Sequence, residues 1–181
     1  MTLLGWLKRR EHRLAVVMGL VDGILTAMLL AARKMVGHGT PADAETVLKV
    51  AVSALATAGF VFYIGRYAEL RSHLVRAEVQ LNLRARGKFA TTRLGRSVFL
   101  DACREAILSG GCSFFSALAP LLLAVVFPSM PWLSVILSLL MLGLLGIVLG
   151  KAVGGSPALW ATGLTVGGLC MTLLGFVLNI F

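Results

Sequence analysis

The chain has 181 residues and a net charge of +9, yet it is 58% hydrophobic and only 14% charged, with a mean hydropathy of +0.90. Soluble domains carry about 25% charged residues, so this composition excludes an ordinary water-soluble fold and points to a polytopic membrane protein built as one bundle. Three cysteines without paired spacing and no histidine cluster give the expectation of free thiols and speak against a zinc site.

The N-terminal stretch ends in Lys8-Arg9-Arg10, and the apolar segment behind it is span-length with no small-residue cleavage site near its end. It is expected to stay on the protein as a helix rather than be removed as a signal. Five segments, roughly 14–32, 47–67, 108–127, 131–150 and 158–180, are each long enough to cross a hydrocarbon core of about 30 Å. The expectation is an all-α membrane protein with five transmembrane helices and a short helical cytoplasmic segment between helices two and three. Residues 1–67 then hold the N-terminal tail and the first two helices, 68–107 the basic helical segment, and 108–181 the last three helices.

In the first span Asp22 stands near the middle of an apolar run. A carboxylate at that depth costs about 2.5–3.5 kcal/mol on insertion scales, so it normally faces a partner, a cation or a wet cavity. The cores of the other four spans carry no Asp, Glu, Lys, Arg or His. Met18, Asp22 and Thr26 follow at helical spacing, and Gly19 and Gly23 lie beside them. That face offers a thioether, a carboxylate and a hydroxyl, a donor set that suits Mn²⁺ or Fe²⁺ over Mg²⁺ and Ca²⁺. Core or lipid packing is the plain alternative for Met18. One carboxylate cannot complete a divalent site, which leaves room for water, backbone carbonyls or a second subunit.

Past Tyr67, the positions Leu70, Leu74, Ala77 and Leu81 keep helical spacing, so span two is expected to run out of the bilayer as one long helix. A break is expected near Arg84-Ala85-Arg86-Gly87. A second amphipathic stretch (Leu94, Val98, Ala102, Ala106) is then expected to enter span three through a flexible joint at Ser109-Gly110-Gly111. This pair could form a helical cap or lie on the lipid surface. Pro120 should kink span three. Gly143, Gly146 and Gly150 in span four, and Gly163 and Gly167 in span five, are expected to let backbones pack closely within one subunit.

Lys and Arg alternate in density between the loops. Fourteen fall before span one, from Arg66 to Arg104, or at Lys151, and only three on the opposite side. The positive-inside rule then places the N-terminus and the 68–107 segment in the cytoplasm and the C-terminus outside. No aromatic-basic pattern accompanies the charge, so anionic lipid rather than nucleic acid is the expected partner. No Ser-His or Cys-His arrangement, HExxH or phosphate-binding glycine loop is present, and the chain is not expected to be an enzyme. No internal repeat is visible.

Gly19-Leu20-Val21-Asp22-Gly23 resembles the G-x-x-D-G of the first helix of the vacuolar iron transporter family. Gly65-Arg66-Tyr67 with Ser72 and Ala77-Glu78 is similar to the end of that family's second helix. Ser113-Phe114-Phe115 through Pro120-Leu121-Leu122 resembles its third, and Gly154-Gly155-Ser156-Pro157 with Gly167-Gly168 and Gly175 its last connection and fifth helix. The resemblance implies a five-helix homodimer that moves Fe²⁺ or Mn²⁺ as cargo out of the cytoplasm, usually in exchange for protons. The expectation is no resident cofactor, and the lack of an organelle address with compact loops adds the expectation of a prokaryotic cytoplasmic membrane. It makes Asp22 the residue that lines the ion path near the subunit interface, and implies that the segment between helices two and three collects metal.

Two features depart from that pattern. Arg66 stands where the family usually has a glutamate, and Glu69 could either neutralise it or replace the missing acid. The 68–107 segment lacks methionine and holds four acids, Glu69, Glu78, Asp101 and Glu105. His73 follows Glu69, and Glu105 follows Asp101, at the i, i+4 spacing. These are candidate cytoplasmic metal contacts, with a solvated helix face as the plain reading. Arg66 and the basic segment also motivate an alternative: a membrane scaffold or regulator of this type that no longer carries metal, with Asp22 satisfied by Arg66 or a neighbouring helix.

Overall fold

The computed structural model describes residues 10–35, 44–80, 93–127 and 130–178. All described secondary structure is helical: α1 (Arg10–Met35), α2 (Ala44–Gln80), α3 (Arg93–Val126), α4 (Pro131–Val153) and α5 (Pro157–Leu178). Four of them, α1 to α4, are long and apolar enough to cross a membrane, and α5 is a further apolar helix. This is the expected all-α membrane protein.

The surface shows which solvent the helices are built for. Phe60, Ile107, Phe115 and Leu159 are 65%, 76%, 70% and 74% exposed, on four different stretches of the bundle. Apolar area on that scale has no place on a soluble monomer and suits contact with lipid. The buried positions are instead small. Ala51, Ala54 and Ala58 on α2, Ala102, Ala106 and Ala117 on α3, and Ala15, Ala27 and Ala31 on α1 make up much of the core. Small residues let helix backbones approach where lipid leaves no hydrophobic drive for association.

The third helix is the hub, packing chiefly on α1 and α2, while α4 pairs with α5 and both reach α1. At 37 residues, α2 is about 55 Å long at 1.5 Å per residue, well beyond a hydrocarbon core of ~30 Å. The continuation of span two past Tyr67 is therefore one uninterrupted helix to Gln80. The break expected near Arg84 lies outside the described residues.

The flexible joint at Ser109-Gly110-Gly111 is not present. Helix α3 runs unbroken from Arg93 to Val126, so the second amphipathic stretch and span three are one rod. Packing explains this: a Cβ on Gly110 would stand 2.8 Å from the Leu55 carbonyl oxygen and 3.5 Å from the Cα of Gly59, so the glycine is a contact point against α2. Ser109 is buried beside it. Helical structure also continues through Pro120, whose carbonyl accepts a 2.7 Å hydrogen bond from Ser134 Oγ on α4.

Helix α4 ends at Gly154, which adopts the left-handed conformation (φ 75°) and turns the chain directly into α5. Gly146 and Gly150 meet the backbone of Ala161 and Pro157, as close packing requires. Gly163 and Gly167 do not: an added Cβ would meet nothing within 4 Å at either position. Both are exposed, so their expected role in packing within the subunit is corrected.

The tightest contact in the bundle joins α1 to α3. A Cβ on Gly19 would collide with the Ser109 carbonyl oxygen, and one on Gly23 with the Ser113 carbonyl oxygen and the Ser116 hydroxyl. Gly23→Ala should therefore lower stability by about 1–3 kcal/mol, the range for overpacking, since the obstacle is mostly backbone. Gly65→Ala, with open space around it, should be neutral or stabilising, because alanine is favoured over glycine in a helix by up to ~1 kcal/mol. Thermal unfolding of the two variants in detergent compares them.

Candidate functional site

Asp22 lies one turn after Gly19 and directly before Gly23, so the two glycines that seat α1 on α3 also fix its position. Two serines on α3 complete the seat. Ser113 Oγ donates to Asp22 Oδ2 at 3.0 Å, and Ser116 Oγ donates to the Leu20 carbonyl at 3.1 Å. Ser113 and Ser116 are 0% and 2% exposed, buried hydroxyls that need such partners.

The half-buried Asp22 opens onto a cavity of about 270 Å³ between α1 and α2. Met18, Val21, Asp22 and Leu25 line it from α1, Thr57, Ala58, Val61 and Phe62 from α2, and Ser109 from α3. A water molecule occupies roughly 30 Å³ of liquid, so the space admits several waters or a partly hydrated ion. Its walls are mainly apolar, with one carboxylate, two hydroxyls and one thioether among them. Met18 and Val61 are 55% and 63% exposed, so the cavity also opens sideways from the bundle.

Among the described residues no arginine or lysine pairs with Asp22. The nearest candidate from the sequence, Arg66, is engaged elsewhere. Its Nε lies 2.8 Å from Glu105 Oε2, its second terminal nitrogen donates to Glu105 Oε1 at 3.5 Å, and its first donates to Glu69 Oε2 at 2.9 Å. The 2.8 Å contact is an ion pair whose angle falls outside hydrogen-bond geometry. Arg66 and Glu105 are 12% and 2% exposed, and Glu69 is 52% exposed. Of the two partners expected for Asp22 in the scaffold reading, Arg66 is thereby corrected, and the polar group of a neighbouring helix is the one observed, in Ser113 Oγ on α3.

The candidate residues from the sequence separate into four groups. Asp22 and Met18 share the cavity. Thr26 does not line it, because its hydroxyl is turned to the Asp22 carbonyl oxygen at 2.9 Å. Glu69 neutralises Arg66, the first of its two expected roles.

The remaining candidates do not assemble. Asp101 is exposed and meets Arg104 at 3.7 Å, while Glu105 turns inward to Arg66, so the two acids face different surroundings despite their spacing. His73 is exposed on α2, and the Glu78 side chain lies outside the described residues. Among the described residues no three His, Cys, Asp or Glu side chains gather as a metal site.

Sequence reasoning missed Thr57 and the α3 serines. Glu105, Ser109, Ser113 and Ser116 are all buried, and all fall on one face of α3 by the helical period. That spacing was visible, but each serine is unremarkable in an apolar span until its neighbours on the same face are counted.

Comparisons with protein families, with curated proteins and with solved structures find no match to this chain.

Removing one partner of a buried ion pair costs about 3–5 kcal/mol, because the other charge is left uncompensated. Arg66→Ala should show a loss of that order in denaturant titration. Arg66→Met combined with Glu105→Leu should recover most of it. A double-mutant cycle measures the coupling directly.

Proposed function

We propose that this protein is a divalent transition-metal exporter that carries Fe²⁺ or Mn²⁺ out of the cytoplasm. In this reading all five apolar helices cross the cytoplasmic membrane, the N-terminus and the 68–107 segment face the basic, inner side, and two copies associate. The resemblance of Gly19-Leu20-Val21-Asp22-Gly23 to the vacuolar iron transporter family motivates the proposal. The observation that carries it is an intramembrane carboxylate facing a cavity, held by one neutral hydroxyl and by no described cation. A permanently matched acid would have no capacity for a visiting ion.

The donors available are chemically suitable but few. Asp22 supplies an anionic oxygen, Met18 a sulfur that favours Mn²⁺ and Fe²⁺ over Mg²⁺, and Thr57 and Ser109 supply hydroxyl oxygens. Water and a second copy across the sideways opening would fill the remaining positions. A carboxylate that releases the ion can take up a proton in its place, which is how one group would couple two fluxes. The basic excess on the inner side suits anionic lipid headgroups.

A second reading has its own support. Arg66 and its two acids form a fixed ionic link at the end of the bundle where an arriving cation would enter, as expected of a scaffold or regulator that carries no metal. Mn²⁺ uptake by proteoliposomes decides between them. Asp22→Asn should abolish uptake and weaken equilibrium Mn²⁺ binding by at least about tenfold, the equivalent of ~1.4 kcal/mol. Binding that is absent in the wild type, or unchanged in the variant, would favour the scaffold.

A further inference from the structure

The proposed function leaves the inner part of the α3 polar face unused. Glu105, Ser109 and Ser113 recur every four residues, so they stand one above another, and they are 2%, 1% and 0% exposed. Ser113 holds Asp22, and Ser109 lines the cavity of Asp22. Glu105 ends the row about 12 Å from Ser113 along the helix axis. Beyond Glu105 come Arg66 and then the half-exposed Glu69. Exposure thus falls stepwise from Glu69 through Arg66 to Glu105, and the row of hydroxyls continues from there to the carboxylate.

We propose that the Arg66–Glu105 ion pair is the closed inner gate of a polar path along α3 to Asp22. This rests on the transporter reading. The gate lies between two antiparallel helices that are pressed together just above it, where Gly59 and Gly110 meet and a Cβ on Gly59 would stand 3.5 Å from the Ala106 carbonyl oxygen. That glycine contact is the fulcrum, and the ion pair closes the end below it. An ionic closure differs from an apolar plug in one respect. Its two charges can part only by becoming hydrated, since an uncompensated buried charge is costly. Separation of α2 from α3 at this level therefore brings water to the Ser109 end of the hydroxyl row in the same step.

Cysteine accessibility tests the gate without any metal. Cys103, Cys112 and Cys170 are replaced by alanine in the full chain, and Ser109→Cys is probed in vesicles with a membrane-impermeant, charged methanethiosulfonate added on the Arg66 side. Modification should be slow with the ion pair intact and rise by about tenfold or more in Arg66→Gln, reflecting a lowered local opening energy. The double variant Arg66→Gln with Glu105→Gln leaves no buried charge unmatched, and should show the same rise if the single variant folds poorly. Ala117→Cys, two turns further into α3 and in the closed core, should stay unreactive throughout.

A rise at 109 with none at 117 supports the gate. An unchanged rate at 109 in the double variant, or an equal rise at 117, overturns it. Metal flux indifferent to Asp22 would count against the transporter reading alone, and is measured separately.

Discussion

The close approach of α1 and α3 is the constraint on which the rest of the molecule depends. Gly19 and Gly23 bring the α1 backbone against the carbonyl oxygens of Ser109 and Ser113, a separation that no side chain, not even alanine, allows. At that distance the serine hydroxyls of α3 reach both the Asp22 carboxylate and the Leu20 carbonyl. The acid is therefore positioned by backbone contact on either side, and its direction is set by one hydroxyl. It is turned towards the α2 side of the contact, where the cavity lies. An alanine at either position would have to push the two backbones apart.

Much of this arrangement could be read from the sequence, and the part that could not has a physical reason. Helix number and the long second helix followed from hydropathy, and the singular place of Asp22 within an apolar run from the cost of a charge at depth, which are local properties of the chain. The two glycines beside Asp22 were visible, but what they touch was not, because contact partners lie about ninety residues away. The error at Ser109-Gly110-Gly111 has the same origin. A glycine pair after a serine reads as a joint in isolation, but a close neighbour turns it into a packing surface, and Gly59 and Leu55 supply that neighbour here. Pairing of charges was the least legible feature. Glu69 lies three residues after Arg66, within reach on one helix, whereas Glu105 is brought to Arg66 only by the antiparallel packing of α2 on α3.

Glu105, which is buried, and Asp22, which is half-buried, are two acids on the same polar interface, and the bundle treats them differently. Glu105 is met by a guanidinium, itself shared with Glu69, so its charge is compensated at the end of the bundle where cations are plentiful. Asp22, deeper in the apolar run, receives one neutral donor among the described residues. A hydroxyl hydrogen bond to a charged group is worth about 1.5–3 kcal/mol, comparable to the ~2.5–3.5 kcal/mol that insertion of an acid demands. Ser113 alone is thus nearly sufficient to keep Asp22 in place without cancelling its charge. The distribution of cations in the chain, dense around Arg66 and absent from the core of the first span, is why Glu105 is ion-paired while Asp22 is held by a hydroxyl.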